Sequence, residues 1–255
     1  MSIKKLPHGR RLTSIPVLFL LIIISIQSCS KDNEEQIKAP LHKVEIWAHR
    51  CNTVEKVIRL QHLVQGLELD VHFNSSKDEF YVKHDFELPD TLLFSDYLSQ
   101  FPNLQNLKFW LDFKNLSIDI QFAALLRLNH IVDSLGVEKS HFIVEGQASS
   151  LGNFKSAGYY TCYYIPYFVP SQLTEEEKET MATNIQTTIN TWPTTAISGY
   201  YEQLEFMQNY FPAKPKLTWF LTEETSVQVL DSIINEVSKD TTIKILLLPE
   251  SLLFL

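Results

Sequence analysis

Three short apolar runs near the start of the chain each carry residues able to do chemistry. Ile46-Trp47-Ala48 leads into His49-Arg50, Leu67-Glu68-Leu69-Asp70-Val71 carries two carboxylates, and Phe80-Tyr81-Val82-Lys83 leads into His84-Asp85. Apolar runs of this length read as buried strands. Glu68 and Asp70 are two apart on one run, so both point to the same face. Two such carboxylates repel unless a cation lies between them, and a hard divalent ion with oxygen ligands is the simplest candidate. One arginine and two histidines beside that ion suit a phosphate ester and its proton transfers.

The order His49-Arg50, Glu68-x-Asp70, His84-Asp85 resembles the glycerophosphodiester phosphodiesterases and the related sphingomyelinase-D-like phospholipases. Leu111-Asp112-Phe113-Lys114 adds the acidic-x-Lys motif that both groups carry on the next barrel strand. The resemblance spans residues 46–115; beyond them the match is only a β/α alternation. Two departures stand out. The family's first motif continues through a loop to Glu-Asn-Thr, whereas Cys51-Asn52-Thr53 follows His49-Arg50 at once and that Glu is absent. Only 27 residues separate His84 from Asp112, too few for the subdomain that many of the phosphodiesterases insert there, so the chain is nearer the compact sphingomyelinase-D-like form.

These residues need a scaffold that gathers strand ends. From residue 44 onward strand and helix patterns alternate. Strands are expected at 44–49, 67–73, 107–113, 141–145, 159–168, 195–199, 216–221 and 242–248, with a short hairpin arm at 80–83 presenting His84. Helices are expected at 54–64 (closed by Gly66), 119–135 (closed by Gly136), 151–157, 174–189, 201–210 and 225–238. Thr174 followed by Glu175, Glu176 and Glu177 reads as an N-cap with acids in the first turn. Eight strands with interposed helices suit a single (β/α)8 TIM barrel, whose sites lie at the C-terminal strand ends. An open doubly wound sheet is the runner-up.

The resemblance and the strand positions together imply roles. Glu68, Asp70 and Asp112 would ligate one Mg²⁺ or Ca²⁺; the alternative is a buried salt-bridge cluster with Arg50 and Lys114. His49 and His84 would be the acid/base pair. Arg50 and Lys114 would hold the nonbridging phosphate oxygens. Glu145 and Trp219 end later strands and would face the substrate; core packing is the competing role for Trp219. His72 shares the face of Asp70 but reads as structural; the aromatic run 159–164 reads as strand packing, with the lining of a pocket mouth as its other role. In the family a neighbouring substrate hydroxyl can attack phosphorus and give a cyclic phosphate. A rival reading is a degenerate barrel acting as a binding lipoprotein, and a weaker one is a glycan hydrolase with Glu145 as acid.

The 255 residues carry a formal net charge of −8. The start has Lys4, Lys5, Arg10 and Arg11, then an apolar run over residues 15–26 and Gln27-Ser28-Cys29. That is a signal-peptide pattern, too short to span a bilayer, and it resembles the lipobox of bacterial lipoproteins. Residues 1–28 are expected to be removed and Cys29 lipidated, with a polar tether over 29–40 and the barrel over 41–255. Loss of four positive charges takes the mature chain to −12, which argues against nucleic-acid binding and against docking on anionic lipid. The expected setting is the outer membrane, held by the lipid, on its periplasmic or surface face. The acidic run after Cys29 resembles a surface-export signal; a solvated linker is the other reading. The partner is expected to be a small phosphodiester or lipid-derived substrate, and the enzyme a monomer. Cys51 and Cys162 are expected as unpaired thiols, with no zinc spacing.

Overall fold

The computed structural model describes residues 44–220 and 227–254. The expected leader, the lipidated Cys29 and the tether lie outside the described residues. Nine strands form one sheet: β1 (Glu45–Ala48), β2 (Gly66–Asn74), β3 (Glu79–Val82), β4 (Phe109–Phe113), β5 (Phe142–Gly146), β6 (Tyr160–Tyr164), β7 (Ala196–Tyr200), β8 (Lys216–Trp219) and β9 (Ile243–Leu248). The helices are α1 (Val54–Leu60), α2 (Phe94–Ser99), α3 (Gln121–Leu135), α4 (Gly152–Ser156), α5 (Glu175–Thr191), α6 (Leu204–Tyr210), α7 (Val227–Val237) and α8 (Glu250–Leu253).

The strand order is β1-β9-β8-β7-β6-β5-β4-β2-β3, and β1 also pairs with β2. Glu45 to Ala48 lie in parallel register with Ile245 to Leu248, and Trp47 and Ala48 with Gly66 and Leu67. That double pairing of β1 closes eight parallel strands into a (β/α)8 barrel and excludes the open sheet. The hairpin arm β3 pairs antiparallel with β2 outside the ring. Among the described residues no helix is long and apolar enough to cross a membrane.

Alternation along each strand sorts side chains between two cores. Trp47, Trp110, Ile143, Cys162, Ala196, Leu217, Trp219, Ile245 and Leu247 pack as one cluster inside the ring. Leu67, Leu69 and Val71 point the other way, into the layer under α1 to α4. Cys51 and Cys162 are both buried and unbonded.

Helix ends follow local chemistry. The Thr174 hydroxyl accepts from the Glu177 N–H while the Glu177 carboxylate takes the Thr174 N–H, a capping box that opens α5. Gly136 closes α3 at φ 63°, where a side chain would be strained. Gly66 has a different job from the helix stop expected of it. α1 already ends at Leu60, capped by Gln61, and Gly66 opens β2. A Cβ there would fall 2.3 Å from the Trp47 ring, so the missing side chain is what lets the indole lie against β2. The strand expected over 159–168 stops at Tyr164, short of Pro166. The stretch between His84 and β4, for which no element was expected, holds α2, with Phe94, Tyr97 and Leu98 buried.

Candidate active site

One pocket at the C-terminal end of the barrel is lined by His49, Arg50, Glu68, Asp70, His84, Asp112, Lys114, Glu145 and Trp219. All nine pocket residues expected from sequence therefore meet, although they span 171 positions of the chain.

The His49-Arg50-Cys51 turn is fixed from several sides. Lys56 on α1 donates its Nζ to the His49 carbonyl at 2.8 Å, and the Tyr97 hydroxyl on α2 donates to the Cys51 carbonyl at 2.6 Å. The Cys51 N–H reaches the Glu68 carbonyl at 2.7 Å. Arg50 sits at φ 55°, a left-handed conformation for a residue with a side chain. That twist delivers the Arg50 N–H to Glu68 Oε2 at 2.6 Å, with His49 Nε2 3.7 Å from the same oxygen. Backbone strain at this turn thus orients a candidate ligand.

The three carboxylates converge. One oxygen from each of Glu68, Asp70 and Asp112 lies within 4.8 Å of the others. Asp70 and Asp112 are paired in register on adjacent strands. Lys114 Nζ bridges them, 2.8 Å from Asp70 Oδ1 and 2.5 Å from Asp112 Oδ2. The Lys114 part of the salt-bridge cluster weighed from sequence therefore coexists with the acidic triad, whereas Arg50 meets it through its backbone N–H to Glu68. Asn52 completes the set: its Nδ2 donates to Asp70 Oδ2 at 2.5 Å and its Oδ1 accepts from the Asp70 N–H at 2.8 Å. Thr53 next to it caps α1. The shortened loop still places an Asn-Thr pair where it positions a carboxylate. Asn52 was legible as part of the departure from the family motif but had no assigned role.

Just past the end of β3, His84 Nδ1 donates to Asp85 Oδ1 at 2.5 Å. Its loop is anchored by Lys83, whose Nζ reaches the Phe86 and Leu88 carbonyls and Asp90. His72, read as structural, donates from Nε2 to the His84 carbonyl at 3.2 Å. It thus supports the loop that carries His84.

Burial sets the charges. The His49 imidazole is pushed down to about 3, by burial first and the Arg50 charge second, so it is neutral at pH 7. Burial, then the charges of Asp70 and Asp112, hold the Glu68 carboxyl well above the usual carboxylate range. Burial also raises Asp112, with Lys114 opposing, and raises Glu145 well above its ordinary value. Burial would lower Lys114, but Asp112 and Asp70 outweigh it and hold the ammonium above its usual value. Buried carboxylates that repel each other in a shared pocket form a site that gains from a divalent cation. The donors are all oxygens, which fits Mg²⁺ or Ca²⁺.

An aromatic wall was only partly foreseen. Trp219 packs against Tyr200 at 4.9 Å, Tyr164 at 5.3 Å and Trp110 at 6.0 Å between ring centroids. Trp110, Tyr164, Tyr200 and Leu247 line the pocket as well. The aromatic run on β6 splits by alternation: Tyr164 faces the pocket, whereas Tyr159 and Tyr163 join the outer core.

No protein-family model and no curated protein matches this chain. Solved structures do. A glycerophosphodiester phosphodiesterase from Parabacteroides distasonis aligns with a TM-score of 0.58 at 12% identity, over 81% of this chain and 93% of that one. The fold is that of solved glycerophosphodiester phosphodiesterases. The Thermotoga maritima phosphodiesterase aligns at 0.55 and 14% identity over 84% and 97%. An Oleispira antarctica phosphodiesterase, solved with its product sn-glycerol-3-phosphate, aligns at 0.55 and 8% identity over 83% and 95%. At such identities the likeness establishes the architecture, and the chemistry must be argued from the pocket.

Proposed function

We propose that this chain is a metal-dependent phosphodiesterase acting on a small glycerophosphodiester or a related diester derived from lipid. The observation that carries the reading is the convergence of Glu68, Asp70 and Asp112 within 4.8 Å in the pocket that His49, His84, Arg50 and Lys114 also line. The fold shared with glycerophosphodiester phosphodiesterases supports it, as does the product held by the Oleispira antarctica enzyme. The cavity of about 90 Å³ suits a compact polar group better than an acyl chain.

Glu68, Asp70 and Asp112 would hold one Mg²⁺ or Ca²⁺, which when bound supplies positive charge to a phosphoryl oxygen. Arg50 and Lys114 draw the nonbridging oxygens into place. His49 and His84 handle the protons: one takes the proton of the attacking hydroxyl and the other supplies one to the leaving oxygen. His49 is buried and neutral, with Nε2 3.7 Å from Glu68 Oε2. Asp85 fixes the His84 ring through Nδ1 and leaves its other nitrogen for the substrate. Trp219, Tyr164 and Tyr200 shield the pocket from water on one side.

Residues 1–28 fit a lipoprotein signal peptide, whose removal would leave a lipidated Cys29 to tether the barrel to the outer membrane. Incorporation of labelled palmitate, absent in Cys29→Ala, tests the anchor. The activity is tested by incubating the full-length protein with a panel of glycerophosphodiesters in Mg²⁺, in Ca²⁺ and in EDTA. Release of the alcohol with metal and none with EDTA is expected. No release from any diester with either metal would overturn the reading.

A further inference from the structure

We propose that the N-terminal end of the barrel is a docking face for an anionic phospholipid leaflet, so that the anchored protein stands with its pocket turned away from the membrane. This orientation rests on the Cys29 tether proposed above. The eight parallel strands begin at this end, and the described chain enters it at Val44, just before β1. A lipid on Cys29 is therefore joined to the barrel at the end opposite the pocket. The 14 residues between Cys29 and Val44 could reach about 50 Å if extended, so the tether alone leaves the orientation open.

Charge supplies the rest. The chain is acidic as a whole, but the acid is unevenly spread. Lys139 stands in the turn before β5, Lys155 in the last turn of α4 before β6, Lys214 in the turn before β8 and Lys244 at the start of β9. Among the described residues their ammoniums meet only uncharged partners: the Tyr159 ring at 5.5 Å, and the carbonyls of Pro193 at 3.3 Å, Thr194 at 2.6 Å and Thr241 at 2.6 Å. Lys155 and Lys214 stand on consecutive carbonyls, so two like charges share one turn; burial first and Lys155 second lower the Lys214 ammonium. A lipid phosphate between them would relieve that repulsion. Most acids at this end are already matched: Glu45 bridges Lys108, Glu236 bridges Lys239, and Asp240 offsets the buried Lys216. Glu138 and Asp133 remain against the four lysines, an excess of two positive charges. The pocket end carries exposed Asp78, Asp85, Glu87, Glu176 and Glu202. An anionic leaflet attracts the first end and repels the second. A short tether keeps the barrel at millimolar effective concentration, so two net charges suffice to orient what they could not hold alone. The pocket then opens to the aqueous side, and its substrate arrives dissolved.

Ser140, beside Lys139, and Ser75, in the hairpin turn at the pocket end, are exposed, whereas Cys51 and Cys162 are buried. Ser140→Cys or Ser75→Cys therefore takes a fluorescent label on the lipidated full-length protein. Each form is reconstituted in vesicles of phosphatidylcholine, alone or equimolar with phosphatidylglycerol, that carry a headgroup nitroxide quencher. In the anionic vesicles quenching is expected to favour the Ser140 label by roughly 10- to 30-fold, about fivefold for each net charge. The preference should vanish in pure phosphatidylcholine, in high salt and on combining Lys139→Gln, Lys155→Gln, Lys214→Gln and Lys244→Gln; the same four changes to Arg should keep it. Equal quenching at the two positions, or a difference that salt and the Gln variant leave intact, overturns the docking face. If the protein does not float with either vesicle, the tether reading fails, and sedimentation of full-length Cys29→Ala with the two vesicle types decides the face alone. Partition roughly 10- to 30-fold higher into the anionic vesicles, lost in the Gln variant, supports it; equal partition, or a preference that survives the Gln changes, removes it.

Discussion

Lys114→Met removes the ammonium that bridges Asp70 and Asp112 while keeping most of the side-chain volume. Its Nζ lies 2.8 Å and 2.5 Å from their oxygens, and the Asp70 side chain is only 2% exposed. Removing one partner of a buried ion pair costs about 3–5 kcal/mol. Lys114 and Asp112 are each about a quarter exposed, so water takes up part of the loss, and roughly 2–3 kcal/mol is a fair expectation. For a domain of this size about 2–4 °C accompanies each kcal/mol. In EDTA at neutral pH, calorimetric melting should therefore fall by roughly 4–12 °C. The sign with pH is fixed by the carboxylates. Asp112 is already raised by burial, and losing Lys114 raises it further. The deficit is then largest above the folded-state value and shrinks as falling pH protonates the pair. A divalent cation should replace the lost charge, so Mg²⁺ or Ca²⁺ should raise melting more in the variant than in wild type. For scale, an ion at 100 times its Kd stabilises by about 2.7 kcal/mol. A variant that melts with wild type in EDTA, or that gains no more than wild type from the cation, would refute the reasoning.

Gly66→Ala places a methyl group inside contact distance of the Trp47 ring, and overpacking of this kind costs about 1–3 kcal/mol, visible as a lowered melting temperature. Asn52→Ala frees both the side chain and the backbone of Asp70; an outer partner of a metal ligand is worth about 10- to 100-fold, so the cation concentration for half-maximal stabilisation should rise by that factor. Asp90 is held down to about 2 by hydrogen bonds from Lys83 and Asn74. Its folded value lies below the unfolded one, so its contribution is full above about pH 4 and is lost as pH falls toward 2. Asp90→Asn should flatten the acid limb of the unfolding curve there, by a small amount because the group is near the surface.

The barrel was legible because each strand is a short apolar run ended by a break, and because chemistry sits at the run ends. His49, Glu68, Asp70, Asp112 and Glu145 could be placed from that rule alone. What escaped depended on contacts between distant segments. Gly66 looked like a helix stop since nothing local reveals that Trp47 must rest on it. Trp110 looked like an ordinary strand residue, because a period of two gives faces without saying which face is the pocket, and Tyr200 fell between an expected strand and an expected helix. Asn52 sat in plain view, but its value comes from Asp70, eighteen residues on. α2 carries an apolar triple, Phe94, Tyr97 and Leu98, that could have been read as a helical stripe; its hydrogen bond to Cys51 could not.

The central claim is that one metal site and one proton-transfer pair in this pocket cleave a phosphodiester. The most direct measurement compares kcat/KM for the best diester in wild type, Glu68→Ala and His49→Ala, each with saturating Mg²⁺ or Ca²⁺ and with EDTA. The account predicts metal-dependent turnover that falls by about a hundredfold or more in both variants, the range for lost acid/base catalysis. Turnover that ignores EDTA, or that survives in either variant, would contradict it.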